Sequence, residues 1–492
     1  MSLARRAVSG SIFLSISSII LIVIGFIGNI ALARLLAPEI FGIVSLAAFF
    51  FDFVQRPRLF GFNLALIHRK DADETTISTH FILQILFTVS IIVLSLLISP
   101  LLLLKYDKNV VFAFMAIAAF ALFDNEGLNS TQYTLMEKEL RYKEVSIINL
   151  ISLTVAFAIA ILFAYFKYGI VSLILFRGLQ NIIPCISYWI INPWRFRFSN
   201  LKFDKEIAKW FVRQKGVFIW IIGVMGFLLL TFNDFLIGTF AGVTLLGFYS
   251  MAFNIARMPL GPISNIIQVA FPMYSKIQDD KEKLSNAFDF VTGFVIRTGF
   301  LISLLLFTCA REAVLVLMGS KWEGSILLIQ LLVLYSFGRP LNDAIGSIFM
   351  ALGKVKKYSR VSIIQGVLMI IVAPVIVYFF KARGAAIFVG FVVVVGVILL
   401  QIILRHEFYI NFKKIYLNPF ISILFGFLAY FIFELFGYRL GLSNVMVLII
   451  KIVLFGGIYL LTLYLLESKD LINKFRMLKS LYLEKPVVDE KY

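Results

Sequence analysis

The chain has 492 residues, of which 61% are hydrophobic and only 15% are charged, and its formal net charge is +18. A soluble protein carries about a quarter charged residues, so this composition excludes a soluble globular enzyme or binding module. The basic residues lie in short segments beside apolar runs, where membrane topology and attraction to anionic lipid account for them. Nucleic-acid binding needs a basic folded face and is therefore not expected.

Taken in chain order, fourteen apolar runs are long enough to cross a bilayer, which takes about 20 residues. The predicted spans, numbered 1 to 14, are 11–33, 40–67, 79–104, 109–131, 145–166, 170–191, 215–240, 243–270, 287–311, 324–350, 359–381, 384–405, 417–436 and 445–466. The first run ends in Ala31-Leu32-Ala33, which is similar to a signal-peptide cleavage site, but it exceeds the apolar length of about 7–15 residues typical of signal peptides. We therefore predict an all-α polytopic membrane protein with about 14 transmembrane helices.

The distribution of basic residues predicts the orientation of these spans. If the N-terminus is inside, the inside segments hold 30 Lys and Arg and the outside loops hold 8, when Lys215, Arg360, Lys381 and Arg405 at span ends are counted with the adjoining loops. Cytoplasmic loops carry the excess of Lys and Arg in membrane proteins. Both termini are therefore expected in the cytoplasm.

Metal and disulfide chemistry are not expected. The two cysteines, Cys185 and Cys309, lie in separate apolar runs, which favours buried free thiols. The three histidines share no metal-ligand spacing. No loop is long enough for a soluble catalytic domain, so we assign no catalytic residue, no metal ligand and no cofactor.

The sequence repeats itself internally. APEIFGIVSLA (37–47) aligns with GVTLLGFYSMA (242–252) at an offset of 205, which places Gly42 on Gly247. Further along, Val-Ser-Ile-Ile recurs at an offset of 216, in spans 5 and 11. Both matches fall on corresponding helices of a six-helix unit, and an even number of helices makes the two units parallel, related by a pseudo-twofold axis along the membrane normal. The expected organisation is an N-terminal six-helix lobe at 1–192, a cytoplasmic inter-lobe linker at 193–214, a C-terminal six-helix lobe at 215–408, transmembrane helices 13 and 14 at 409–466, and a cytoplasmic tail at 467–492.

ARLLAPEIFGIVSLA (33–47) and LLGFYSMAFNIARMPLGPISNIIQVAFPMYSKIQDD (245–280) resemble the Wzx-type polysaccharide flippases of lipopolysaccharide biosynthesis. These belong to the superfamily of the MATE exporters and the lipid II flippases, and the resemblance covers about residues 1–410. It implies a V-shaped two-lobe transporter in the bacterial inner membrane that moves an undecaprenyl-diphosphate-linked glycan from the cytoplasmic to the outer leaflet. It also implies membrane lipids, a polymerase and glycosyltransferases of the same pathway as partners.

Charged residues recur inside the predicted spans, where each costs about 2.5–3.5 kcal/mol. At a rise of about 1.5 Å per residue, charges in the corresponding spans 2, 4, 8 and 10 lie at similar depths, roughly 18–24 Å from the outer end. Arginine suits a diphosphate because its planar guanidinium group donates paired hydrogen bonds and keeps its charge when buried. The candidate substrate-binding arginines are Arg56, Arg58, Arg257, Arg297 and Arg339.

Acids and prolines complete the candidate site. The acids expected to orient the arginines or to bind a coupling ion are Asp52, Asp124, Asp234 and Asp343. Asp52–Arg56 and Arg339–Asp343 have the spacing of residues on one helix face, so structural ion pairs stay open as an alternative. The prolines expected to kink spans 2 and 8, either as hinges or as simple packing kinks, are Pro57, Pro259 and Pro262.

Other buried charges receive no substrate role. Glu434 and Lys451 lie toward the outer ends of consecutive spans and are interpreted as a hairpin pair. Arg177 lies only about 10 Å deep, and the pair Arg311-Glu312 lies at a membrane interface.

Three other functions fit the sequence less well than a flippase. A lipid scaffold would hardly retain so many buried charges. A MATE-like cation-coupled drug exporter would favour an acidic cavity, whereas these spans are rich in arginine. A membrane glycan-assembly enzyme would need a catalytic loop or a cytoplasmic domain. The sequence therefore favours the flippase.

Overall fold

The computed structural model describes residues 3–56, 62–69, 72–195, 202–213, 217–258, 260–436 and 442–483. Within these ranges the chain is helical and has no strand. The helices are α1 (Leu3–Leu35), α2 (Pro38–Gln55), α3 (Phe62–His68), α4 (Glu74–Leu103), α5 (Lys108–Phe120), α6 (Ser130–Lys138), α7 (Tyr142–Tyr165), α8 (Ile170–Ile191), α9 (Lys205–Arg213), α10 (Val217–Phe240), α11 (Val243–Arg257), α12 (Leu260–Lys276), α13 (Lys281–Thr308), α14 (Ala310–Leu317), α15 (Ile326–Leu331), α16 (Val333–Ala351), α17 (Val355–Ile371), α18 (Ala373–Leu404), α19 (Asn418–Phe436) and α20 (Asn444–Leu483).

Ten of the described helices are long and apolar enough to cross a membrane, and a bent pair at Ser320–Leu331 and Val333–Ala351 makes an eleventh. The predicted spans 4 and 8 correspond to helices shorter than 18 residues, namely α5 with α6 and α11 with α12. Span 11 covers α17 and the start of α18, as far as Lys381, where the backbone is not helical (φ 52°). The predicted total of about 14 is compatible with this architecture.

The structure corrects the prediction that spans 4 and 10 are continuous helices. Span 4 contains α5 and α6, and span 10 bends by 51° where α15 ends at Leu331 and α16 begins at Val333. In spans 2 and 8, residues 57–61 and 259 lie outside the described residues. In span 4 the reason is local: the Asp124 carboxylate accepts a hydrogen bond from the Glu126 amide at 2.9 Å, and the Leu128 amide donates to the Leu122 carbonyl at 2.8 Å. These contacts form a turn that replaces the helical pattern. Spans 4 and 10, where these breaks occur, correspond to each other in the repeat.

Helices α2 and α11, which carry the 205-residue repeat, pack so closely that only glycine fits at the contact. A Cβ on Gly42 would overlap the carbonyl oxygen of Val243, and a Cβ on Gly247 would overlap that of Pro38. Pro38 and Val243 are themselves 205 residues apart. The two contacts are therefore equivalent, as a twofold axis between the helices requires.

The opposite ends of α2 and α11 also lie close together. Asp52 on α2 and Arg257 on α11 occupy equivalent repeat positions, and both lie within electrostatic range of Asp234 on α10. The two helices are thus close at their first turns and at their last turns. This arrangement makes them parallel, as the repeat predicts.

The hairpin of α19 and α20 packs against the second half of the chain. Phe455 and Tyr459 of α20 are fully buried in a cluster with Leu304 of α13, and the Tyr459 hydroxyl donates to the Arg297 carbonyl at 2.9 Å. Cys185 and Cys309 are buried and free, which confirms that prediction.

The cytoplasmic placement of both termini is a prediction that reporter fusions can test. A reporter active only outside the cytoplasm is expected to be active when fused at residue 440, between α19 and α20, and inactive at the C-terminus, because the basic residues concentrate in the inside segments. The opposite pattern of activity would contradict the topology. A fusion within the linker at residue 205, expected inside, provides the matched control.

Candidate functional site between the lobes

Four charged side chains from four helices converge between the two halves of the molecule. Asp234 of α10 lies within electrostatic range of Asp52 of α2, Arg177 of α8 and Arg257 of α11. Both arginines are exposed although they lie within the predicted spans 6 and 8. Their acidic partners come from both lobes, so we place the two guanidinium groups in the space between the lobes. We call these four residues the central charge cluster.

Arg56 lies beside this cluster at the end of α2. Its Nε donates to the Asp52 carbonyl oxygen at 3.1 Å, and its guanidinium carbon lies 4.1 Å from the centre of the Phe227 ring on α10. The Asp52 carboxylate accepts from the Gln55 side chain at 2.6 Å. The four-residue spacing of Asp52 and Arg56 therefore gives a hydrogen bond from the Arg56 side chain to the Asp52 backbone. The Arg56 guanidinium also packs on the Phe227 ring of the other lobe as a cation–π contact.

Arg339 forms the ion pair with Asp343 that the sequence left open. Two hydrogen-bonding distances join them, 3.1 Å from Nη2 to Oδ1 and 3.2 Å from Nε to Oδ2. The fully buried Tyr335 lies within electrostatic range of both Arg339 and Arg257, so this pair adjoins the central charge cluster. A cavity of about 30 Å³ beside Arg339 is large enough for water but not for a head group.

Two candidates lie elsewhere. Arg297 makes a bidentate ion pair with Glu467 of α20, at 2.8 Å from Nε and 2.6 Å from Nη2, so the structure does not bring it to the central charge cluster. Asp124 caps the turn that breaks span 4. Neither position was expected, because Glu467 lies 170 residues from Arg297 and span 4 was read as one helix.

The remaining candidates cannot be placed against the site. Arg58, Pro57 and Pro259 lie outside the described residues. Pro262 lies in the first turn of α12, and its side chain is outside the description. The hinge role of these prolines stays a prediction.

Sequence reasoning missed Arg177. We set it aside because it lies only about 10 Å from the outer end of its span, whereas the other candidates lie deeper. Asp234 of the following span also lies in the outer half of the membrane. The shared depth of Arg177 and Asp234 could have indicated that the two residues lie close together. The structure brings the two within electrostatic range.

The two lobes are sealed at one end by reciprocal hydrogen bonds. Arg34, in the last turn of α1, donates to the Leu317 carbonyl at 2.6 Å and to the Val316 carbonyl at 2.5 Å, at the end of α14. In return, Lys321 donates to the Arg34 and Leu36 carbonyls at 2.7 and 2.9 Å. The last carbonyls of a helix lack partners within the helix and attract positive charge, so each helix end is capped by the opposite lobe.

An aromatic contact continues this seal. Trp322, fully buried, donates from its indole to the Ala33 carbonyl at 2.8 Å. Its ring lies 5.2 Å from that of Phe41 on α2 and 6.1 Å from that of Phe248 on α11. Together with the Gly42–Gly247 contact, these bonds close the end of the molecule that the basic residues predict to be outside; we call them the outer seal.

Comparison with known proteins agrees with this architecture. The model of the family described as polysaccharide biosynthesis protein matches residues 31–327, more than half of the chain and all of the central charge cluster. The chain belongs to this family. An uncharacterized membrane protein in the cps region of Klebsiella pneumoniae is 24% identical over 98% of this chain and 100% of the relative. The lipopolysaccharide biosynthesis protein WzxC of Escherichia coli (strain K12) is 26% identical over 82% of this chain and 80% of its own.

Solved structures share the fold. The lipid II flippase MurJ in an inward closed conformation superposes with a TM-score of 0.73 at 14% identity, covering 94% of this chain and 100% of the flippase. An inward-facing multidrug resistance transporter of the MATE family superposes at 0.58 and 14% identity, covering 80% of this chain and 98% of its own. The predicted all-α, MATE-like fold class and the predicted family are confirmed.

Proposed function

We propose that this member of the polysaccharide biosynthesis family is a flippase for a lipid-diphosphate-linked oligosaccharide. It carries the undecaprenyl-diphosphate-linked glycan from the cytoplasmic to the outer leaflet of the bacterial inner membrane, for surface polysaccharide or lipopolysaccharide synthesis. It acts as a transporter and not as an enzyme. The names of the relatives, one of them a lipopolysaccharide biosynthesis protein, support the pathway.

The observation that carries this proposal is the charge of the space between the lobes. Arg56 lies within electrostatic range of Asp52, and Arg177 and Arg257 lie within range of Asp234, so three arginines accompany two acids where the substrate would lie. A diphosphate supplies the matching anion, and guanidinium groups bind it through paired hydrogen bonds. A cationic drug would be repelled by the same excess, so the drug-exporter alternative finds no support here.

Alternating access follows from the outer seal. With the outer ends capped against each other, the head group enters from the cytoplasmic side and the prenyl tail stays in lipid. Transfer then requires the Arg34, Lys321 and Trp322 contacts to break while the cytoplasmic side closes. The hydrogen bonds donated by Arg34 and Lys321, each worth about 1.5–3 kcal/mol, stabilise the state that is closed on the outside relative to the state that is open there.

Loss of the protein in its source bacterium tests the proposal. We expect depletion to remove surface glycan and to leave the lipid-linked glycan reachable by a glycan-cleaving enzyme only from the cytoplasmic side of membrane vesicles. Restoring the wild-type gene should restore both. Normal surface glycan after depletion, with increased sensitivity to cationic drugs instead, would favour the exporter and contradict the flippase.

A further inference from the structure

We propose that Asn29 of α1 and Asn254 of α11 bind the sugar that is attached to the diphosphate of the substrate. This inference rests on the proposed function and divides the central site into a part for the diphosphate and a part for the glycan. Both residues are located through the internal repeat, in which residues 205 apart occupy equivalent positions in the two lobes. We call two such residues repeat mates.

The ends of four helices show that the 205-residue register is kept in the structure. Helix α1 ends at Leu35 and α2 begins at Pro38. At the same offset, α10 ends at Phe240 and α11 begins at Val243. Equal helix ends in both lobes mean that no residue is inserted or lost between mates. The equivalence therefore extends from α2 and α11 back into α1 and α10.

Contacts across the lobe boundary repeat in the same register. The Arg56 guanidinium packs on the Phe227 ring. The mates of these two residues, Gly261 and Ile22, meet as well, because a Cβ on Gly261 would overlap the Ile22 side chain. The twofold relation therefore extends from the outer ends of these helices to beyond the central charge cluster.

Asn29 is the repeat mate of Asp234, a member of the central charge cluster. Asp234 lies within electrostatic range of Asp52 and Arg257, and these two residues are mates of each other. A twofold axis that exchanges Asp52 with Arg257 therefore places Asn29 beside the same two residues. Asn29 is partly exposed, and its amide donates to the Gly25 carbonyl at 2.7 Å. No described atom lies within 4 Å of a Cβ built on Gly25, so this face of α1 borders open space.

Asn254 faces the same space from α11. It precedes Arg257 by three residues, which places both on one face of the helix, about 4.5 Å apart along its axis. Both side chains are exposed. An amide without hydrogen-bond partners is costly in hydrocarbon. Asn254 therefore faces the space between the lobes, as Arg257 does.

The two seams between the lobes differ at this level although the repeat relates them. In one seam, Phe49 of α2 is buried and its ring centre lies 5.6 Å from that of Phe227 and 5.2 Å from that of Phe235 on α10. In the other seam, the mate of Phe49 is Asn254, which is exposed, and Ile27 of α1 is 60% exposed. One seam is thus filled by aromatic rings, whereas the other leaves an asparagine accessible.

The chemistry of the two asparagines suits a sugar. A side-chain amide donates and accepts hydrogen bonds, as a sugar hydroxyl does, and it carries no charge that competes for the diphosphate. Arg257 holds the phosphates one helical turn from Asn254, a separation comparable to the width of one sugar ring. A site built to hydrogen-bond a substrate hydroxyl rejects an analogue that lacks it. The two asparagines therefore select lipids that carry a glycan.

Native mass spectrometry of the purified full-length protein, titrated with two lipids, tests this division. The probes are undecaprenyl diphosphate without sugar and the lipid-linked oligosaccharide extracted from the source bacterium. We expect wild type to prefer the glycan-bearing lipid by about 10-fold, the effect of one or two neutral hydrogen bonds. Asn29→Ala and Asn254→Ala should each lose about threefold or more of this preference and keep the wild-type affinity for undecaprenyl diphosphate. Arg257→Ala should weaken the binding of both lipids.

Two further variants separate recognition of the sugar from a structural role. Asn109→Ala changes an exposed asparagine in the first turn of α5 and should leave both affinities unchanged. Asn254→Gln keeps an amide and should retain more of the preference than Asn254→Ala.

The outcomes distinguish this inference from the proposed function. The inference is overturned if both alanine variants keep the wild-type preference, or if they lose affinity for both lipids equally. A wild type that binds both lipids equally well also overturns it, while a flippase for the diphosphate lipid still stands. A wild type that binds neither lipid contradicts the proposed function itself.

Discussion

Replacing Arg257 by alanine is expected to abolish export of the glycan while the protein still inserts. Its guanidinium is exposed between the lobes and lies within electrostatic range of Asp234. A hydrogen bond to a charged group is worth about 1.5–3 kcal/mol, and 1.4 kcal/mol is a factor of ten, so the apparent affinity for the substrate should fall about 10- to 100-fold. Arg257→Lys should restore export only in part, because lysine keeps the positive charge but lacks the planar guanidinium group that donates paired hydrogen bonds.

Complementation of a strain that lacks its own flippase measures this effect, with surface glycan as the readout and membrane content checked by immunoblot. Arg360 provides a matched control, because it is an exposed arginine at the start of α17, away from the central charge cluster. Arg360→Ala should export glycan normally. Full export by both Arg257→Ala and Arg56→Ala would mean that these arginines have only a structural role.

Adding a single methyl group at Gly42 or Gly247 is expected to disable the protein. Each Cβ would overlap a backbone carbonyl oxygen of the opposite helix, and backbone cannot move aside as a flexible side chain can. Overpacking of this kind costs about 1–3 kcal/mol. Gly42→Ala and Gly247→Ala should therefore lower the Tm of the purified protein and reduce glycan export by similar amounts, since the two contacts are equivalent.

Gly226 of α10 supplies the control for that experiment. No atom lies within 4 Å of a Cβ built on it, so Gly226→Ala should keep full export and at least the wild-type Tm. Wild-type behaviour of both Gly42→Ala and Gly247→Ala would contradict the close packing of α2 on α11.

The sequence predicted the features that depend on periodicity and short spacing. The 205-residue offset identified Gly42 with Gly247, and the structure presses these two glycines against the opposite helices. The four-residue spacing placed Arg339 and Asp343 on one helix face, where they pair. Glu434 and Lys451 were matched because consecutive spans form a hairpin. Each of these inferences uses only local geometry or a repeat.

Contacts between residues distant in the chain were not predictable in this way. Glu312 reaches Lys451 across 139 residues, and no spacing rule connects them. Arg297 was expected in the central cavity because it lies near mid-depth in span 9 and arginine suits a diphosphate, but its partner proved to be Glu467 of α20. Composition indicates that a buried charge needs a partner, but the partner's identity comes from the packing of helices.

The breaks in the spans had a signal that hydropathy hides. FDNEGLNS (123–130) contains glycine and three Asn or Asp residues, a composition typical of turns. Averaging over a span-length window masks it, because the flanking residues are strongly apolar. A second interruption occurs in span 10, where α15 ends at Leu331 and α16 begins at Val333. Broken helices are tolerated in membranes where the freed backbone groups face protein or a water-filled cavity.

Reconstitution of the purified protein tests the central claim most directly. Lipid vesicles carrying a polyprenyl-diphosphate oligosaccharide in both leaflets would be treated from outside with a glycan-cleaving enzyme, and the cleaved fraction followed over time. With wild-type protein, cleavage is expected to proceed beyond the outer-leaflet half toward completion, while vesicles holding Arg257→Ala stop near that half. If wild-type vesicles also stop where protein-free vesicles do, the protein does not move the lipid-linked glycan and the account is wrong.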